Sequence, residues 1–207
     1  MNPRSNIHEQ VLTATTTDAL MDTYGGWAEQ YDHDLTKAWG YPAPERAVQQ
    51  LKRYVPDANA TILDAGCGTG LVGQLLRQQG FTSVNGLDFS AGMLAQAKEK
   101  QVYGTLLQAD MNQPLAIPDG AYQAVTCVGT FTSAHVKPDA LSELVRITCT
   151  GGFVVFTVRD TYWAETNFDH HIMSLCQSNR VRLHECRTEP YIQEEGSECK
   201  LLVLEVL

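Results

Sequence analysis

The run Ile62-Leu63-Asp64-Ala65-Gly66-Cys67-Gly68-Thr69-Gly70, continued by Leu71-Val72-Gly73-Gln74-Leu75-Leu76, constrains the fold more than any other stretch of the chain. A short apolar run reaches an acid, three glycines follow at alternate positions, and an apolar pattern with helical spacing takes over. That order predicts strand, tight turn, helix: the ligand-binding corner of an open α/β sheet. Glycine permits a strained turn and lets the backbone approach a ligand with no Cβ between them. The spacing is G-x-G-x-G rather than the G-x-G-x-x-G of dinucleotide sites, which argues against a nicotinamide dehydrogenase.

The same alternation continues on both sides of this corner. Pro42 and Pro44 introduce an amphipathic helix through Ala47, Val48, Leu51 and Val55, ended by Pro56. After the glycine turn, a helix over Leu71–Gln79 stops at Gly80. A strand over 83–87 ends at Asp88, and Ser90 caps a helix over 91–100. A strand over 104–108 ends at Asp110, and Tyr122–Val128 reads as a fully buried parallel strand. Pro138 starts a helix through Leu141, Leu144 and Ile147, after which Gly151-Gly152 turns into a strand over 153–158. Beyond Asp160 a helix carries Ile172, Met173, Leu175 and Cys176. Strands over 181–187 and 201–207, joined by a polar turn region over 189–197, predict an antiparallel pair at the sheet edge.

A chain of 207 residues with 43% hydrophobic and 19% charged residues forms one domain with a substantial core. Within it, residues 1–40 are expected as an N-terminal helical segment or lid, 41–160 as the core that carries the ligand-binding corner, and 161–207 as the C-terminal helix and strand pair. The net charge of −9 and the lack of any Lys/Arg-rich run exclude a general phosphate-binding surface, so no nucleic-acid partner is expected. No apolar run approaches the ~18 residues that span a bilayer, so no membrane partner is expected either. Six cysteines without C-x-x-C or Cys/His ligand spacing, behind a polar N-terminal stretch, fit reduced thiols in a cytoplasmic protein. His170-His171 beside Asp169 is a poor metal pair, because adjacent histidines on a helix face different ways.

Three acids, Asp64, Asp88 and Asp110, end the first three strands, where open α/β sheets bind ligands. Asp88 stands where a second strand presents a carboxylate to a ribose diol. A lone aspartate there caps a helix; three beside a glycine turn make a ligand site. Tyr24, Trp27 and Tyr31 are spaced so that a helix puts them on one face, either for packing or as a wall over a pocket.

These residues resemble the class I S-adenosylmethionine-dependent methyltransferases. The matching pieces are Asp64-Ala65-Gly66-Cys67-Gly68-Thr69-Gly70, Gly86-Leu87-Asp88-Phe89-Ser90-Ala91-Gly92-Met93-Leu94, Gln108-Ala109-Asp110-Met111 and Thr150-Gly151-Gly152-Phe153. Within that superfamily, Tyr24–Asp32 and Gly68–Gly73 are similar to the methyltransferase-like group named for the Williams–Beuren syndrome region. The resemblance implies a Rossmann-like α/β sheet of about seven strands, mostly parallel with a C-terminal antiparallel hairpin and helices on both faces. It implies S-adenosyl-L-methionine as cofactor, with the Gly66, Gly68 and Gly70 turn, Ala65 and Cys67 against its methionine part and Asp64 near its amino group. Asp88 holds the ribose hydroxyls, Phe89 and Met93 flank the adenine, and Asp110 with Met111 meets the adenine amine. Cys127 and Val128 face the sulfonium, and Tyr24 and Tyr31 close over the cofactor.

On the acceptor side, His135 follows the fourth strand and suits proton removal near neutral pH, although a structural loop histidine fits equally. Arg159 offers a carboxylate fork or pairs with Asp160, and Trp27, Phe131 and Trp163 are candidate pocket walls. The expected function is methyl transfer to a small-molecule acceptor. The alternative is a non-catalytic S-adenosylmethionine-binding module acting through a partner. The acceptor atom and the oligomeric state are not encoded in any of these motifs.

Overall fold

The computed structural model describes residues 40–132 and 136–207. Tyr24, Trp27, Tyr31 and His135 lie outside the described residues. The first described helix, α1 (Ala43–Tyr54), has Pro42 at its N-cap and Pro44 in its first turn, where a missing N–H costs nothing. It buries Ala47, Val48 and Leu51.

The alternation then proceeds as β1 (Thr61–Ala65), α2 (Leu71–Gln78), β2 (Ser83–Asp88), α3 (Ala91–Glu99), β3 (Leu106–Gln108) and β4 (Tyr122–Phe131). It continues as α4 (Ala140–Ile147), β5 (Thr148–Arg159), α5 (Asp160–Thr166), α6 (Phe168–Gln177), β6 (Val181–Ile192) and β7 (Ser197–Val206). The sheet order is β3-β2-β1-β4-β5-β7-β6. The first five strands run parallel, and β7 is antiparallel to both its neighbours. The order reverses at β1, so the crevice outside β1 and β4 is the topological switch point.

Alternation along the strands divides the core. Leu63, Val125, Cys127, Val154, Phe156, Leu202 and Leu204 face α4, α5 and α6. Ile62, Ala124, Val128, Val155, Leu201 and Val203 face α1 and α2. Among the described residues, no helix is long and apolar enough to cross a membrane.

Two expected boundaries move, and one helix is additional. No loop separates α4 from β5: the strand starts at Thr148, and Gly151-Gly152 lie inside it at an irregularity where the pairing with β4 shifts register. The Gly152 backbone passes so close to Gln123 O that a Cβ would stand 2.7 Å from it, which is why a strand interior carries glycine here. The polar stretch after Arg187 continues β6 to Ile192, paired with β7, so the hairpin turn is confined to residues 193–196. A short helix, α5, also follows β5 directly, a position for which the sequence pattern gave no helix.

Candidate active site

All three turn glycines hold left-handed backbone: Gly66 at φ 72°, Gly68 at 53° and Gly70 at 94°. The outer two are each constrained by a different neighbour. A Cβ on Gly66 would run into the Thr130 hydroxyl, and one on Gly70 would stand 3.1 Å from the Tyr103 ring. A Cβ on Gly68 would meet nothing within 4 Å. The turn is therefore packed at both ends and open at its middle, so that a ligand can reach bare backbone there. Gly66 and Cys67 both donate their N–H to Leu87 O, at 2.7 and 2.9 Å, which pins the turn to β2.

Asp88 adds a second tie. Its Oδ2 accepts from Gly68 N at 2.8 Å and its Oδ1 from Ser90 N at 2.8 Å. With Phe89 N as a third backbone donor, the carboxylate is bonded at three of its about four lone-pair sites. Burial raises the Asp88 pKa, while the backbone N–H groups of Ser90, Gly68 and Phe89 oppose the rise. Beside it, Phe89 leaves 39% of its surface exposed, an open aromatic face at the strand end. Met93 is buried under that position, in the first turn of the helix that Ser90 caps by accepting from Met93 N at 3.3 Å. Asp110 accepts from Asn112 N at 2.8 Å and shapes the loop after β3, with Met111 buried beside it.

Asp64 is only 1% exposed, and both its oxygens have partners within the chain. Tyr103 Oη donates to Oδ2 at 2.6 Å, Thr126 Oγ1 donates to Oδ1 at 3.1 Å, and the Gly73 backbone N–H adds a third bond. Burial pushes its pKa from 3.8 up to about 7, against these three bonds. Ala65 and Cys67 are buried beside it, and burial, with Asp64 and Asp88 nearby, drives the Cys67 thiol far above its usual range.

β4 carries the opposite wall. Between Cys127 and Phe131 its pairing with β5 slips, a bulge of the kind that re-aims side chains beside active sites. Within it Gly129 stands at φ 75°, and its N–H is held by Thr157 Oγ1 at 3.0 Å. Val128 is buried on the α1/α2 face. Two sequence expectations are corrected here. Cys127 has no exposed surface: its side chain packs in the α4–α6 core, and burial pushes its thiol up to about 12. Phe131 is likewise fully buried, edge-on to Phe168 at 5.1 Å and to Phe156 at 6.0 Å.

At the end of β5, Arg159 pairs with Glu195 at 3.2 Å rather than with Asp160, whose own partner is Lys200 at 3.3 Å. The guanidinium lies over the Tyr191 ring, 5.8 Å from its centroid, and Nε is buried with no hydrogen-bond partner. Trp163 turns away from this group and stacks on Phe168 at 6.0 Å. His171 meets Ser142 at 3.3 Å and Asp139 at 3.6 Å, and no group of side chains among the described residues has metal-ligand geometry.

Tyr103, Thr130 and Tyr191 were missed as site residues. Gly73 signalled the first: glycine inside a helix costs about 1 kcal/mol against alanine and calls for a packing reason. A Cβ at Gly73 would run into the Tyr103 ring. Nothing local in the sequence marks the other two.

A parallel sheet with a left-handed glycine turn at its switch point, tied to a carboxylate on the next strand, defines an adenosyl-ligand α/β domain. Residues 63–156 match the family described as "Methyltransferase domain". Over these residues, a little under half of the chain, the chain is similar to methyltransferase domains. The chain is 40% identical over 139 residues to human Methyltransferase-like protein 27, covering 66% of this chain and 56% of that protein. It is 42% identical over 99 residues to a malonyl-[acyl-carrier protein] O-methyltransferase of Buchnera aphidicola subsp. Baizongia pistaciae, covering 48% and 39%. A solved structure of a S-adenosyl-L-methionine-dependent methyltransferase assigned in Methanococcus maripaludis shares the fold, with a TM-score of 0.65 at 18% identity over 88% of this chain and 93% of that one. The chain spans about half the length of the curated relatives it matches.

Proposed function

We propose that the protein transfers a methyl group from S-adenosylmethionine to a small-molecule acceptor in the cytoplasm. The observation that carries this reading is the Gly66–Gly70 turn, open at Gly68 and tied through Gly68 N to Asp88, inside a stretch similar to methyltransferase domains. The bound cofactor supplies a methyl group already activated on a sulfonium.

The chain's own residues have to bind and orient. Asp88 offers its remaining lone-pair site to a vicinal diol, Phe89 offers its exposed face to the adenine, and Asp110 with Met111 borders the far end of that base. The turn accommodates the methionine part beside the uncapped N-terminus of α2, where the helix dipole favours a carboxylate. From outside the described residues, the sequence offers Tyr24 and Tyr31 as cofactor contacts and Trp27 as an acceptor contact. His135 removes a proton where the acceptor must lose one. Oriented approach can supply about 7–11 kcal/mol of a transfer barrier, so positioning is the main task.

Arg159 supports an acceptor that carries a carboxylate. Its side chain is 13% exposed and its Nε lacks a partner, while Glu195 holds the opposite edge of the fork. The net charge of −9 favours a small acceptor over a nucleic acid.

Titration calorimetry with S-adenosylhomocysteine, with NAD as control, tests the cofactor half: binding of the first alone is expected, and binding of neither refutes it. Methyl-labelled cofactor incubated with small-metabolite extract, carrier-bound acyl groups and RNA tests the acceptor half. Label in a small carboxylate is the expected result. Label in RNA alone overturns the acceptor assignment, and label nowhere favours the binding module.

A further inference from the structure

Tyr103 belongs to none of the motifs that mark the cofactor site, yet three glycines make room for it. Its ring lies where a Cβ of Gly73 would fall, 3.1 Å from where one of Gly70 would stand and 3.2 Å from where one of Gly86 would stand. These glycines sit on the turn, on α2 and on β2, so the ring is wedged where the three elements meet. The wedge is held from behind. Arg77 Nε donates to Val102 O at 2.6 Å, Gly104 N donates to Val84 O at 2.8 Å, and Thr105 N donates to Asn85 Oδ1 at 3.0 Å. With its backbone clamped on both sides, the ring points its hydroxyl at Asp64 Oδ2, 2.6 Å away.

We propose that Tyr103 is a positioning residue for cofactor binding: its ring sets the glycine turn against α2 and β2, and its hydroxyl holds the Asp64 carboxylate beneath that turn. The assignment rests on the cofactor reading above. Asp64 is then the charge the turn presents from below to a cationic ligand, and Tyr103 fixes both its place and its ionisation. The ionisable groups facing Asp64 are Tyr103 from the loop before β3, Cys67 from the turn, Asp88 from β2 and Cys127 from β4. Across neutral pH Asp64 titrates beside them, and the Tyr103 hydroxyl favours its ionised form.

The test is Tyr103→Phe, which keeps the ring in its slot and removes only the donor. S-adenosylhomocysteine affinity is measured by calorimetry from pH 5.5 to 8.5, with thermal melting to establish that the variant is folded. Wild-type affinity should rise through the titration of Asp64. In Tyr103→Phe the midpoint of that rise should move upward by on the order of one pH unit, weakening binding near pH 7 by about fivefold. In an Asp64→Asn background the same substitution should move no midpoint. A purely structural tyrosine would lower the melting temperature and leave the pH profile where it was. That outcome, or equal affinity at every pH, overturns the assignment while leaving the cofactor reading intact. A wild-type protein that binds no S-adenosylhomocysteine removes the cofactor reading, and the Tyr103 assignment with it.

Discussion

Replacing Gly73 by alanine sets two effects of opposite sign against each other. Gly73 lies in the first turn of α2, where alanine is favoured over glycine by at most about 1 kcal/mol. The new Cβ, however, falls inside the Tyr103 ring. That ring cannot retreat easily, because the backbone on either side of it is bonded to Arg77 and Val84. Overpacking of this kind costs about 1–3 kcal/mol. If the ring shifts, Asp64 loses its shortest hydrogen bond, and losing a bond to a buried charged group costs about 1.5–3 kcal/mol. The net expectation is destabilisation by about 2–5 kcal/mol, or about 5–20 °C in Tm for a chain of this size. Urea denaturation of four proteins measures it: wild type, Gly73→Ala, Tyr103→Ala and the double variant. With the ring gone, alanine at 73 should recover its propensity advantage, so the double variant should be at least as stable as Tyr103→Ala. A Gly73→Ala single variant as stable as wild type would refute the wedge.

Asp88→Asn should weaken S-adenosylhomocysteine binding by about 30-fold or more, since it alters a charge-assisted bond to a diol, and calorimetry reads this directly. Asp64 should make stability fall as pH rises. Its folded pKa of about 7 exceeds the ordinary 3.8, so between these values the folded state holds a proton that the unfolded chain has released. The full difference corresponds to about 4 kcal/mol, and Asp64→Asn should lose less stability than wild type between pH 5 and pH 8 in paired denaturation curves. Phe131→Ala should cost about 3–5 kcal/mol as a core cavity, with its loss of activity following the folded fraction rather than KM.

The parts of this molecule that were legible beforehand are those written by local pattern. Three glycines at alternate positions required left-handed backbone, and acids at successive strand ends placed the crevice. Pairings distant in sequence were not legible. Tyr103 reaches Asp64 across 39 positions and Thr126 reaches it across 62, and neither residue carries a local signal of its partner. Cys127 and Phe131 read as crevice residues because they end the fourth strand, whereas both lie in the core cluster that packs against α4–α6. The Gly151-Gly152 pair looked like a turn because glycine is rare inside strands. Its reason is the close passage of Gln123 O on the neighbouring strand.

The placement of β7 between β5 and β6 has a consequence for the chain as it is made. β5 pairs with β7, and its partners lie forty or more residues further along, from Arg159 with Cys199 to Phe153 with Glu205. Until β7 arrives, β5 presents an unpaired edge bearing Val154, Phe156 and Val158, the kind of edge that templates association between copies. The β6–β7 hairpin is local and can close first, then dock as a unit along that edge. A charge at Leu202, which sits opposite Phe156, should therefore do more than lower stability: it should prolong the interval in which newly made chains can aggregate.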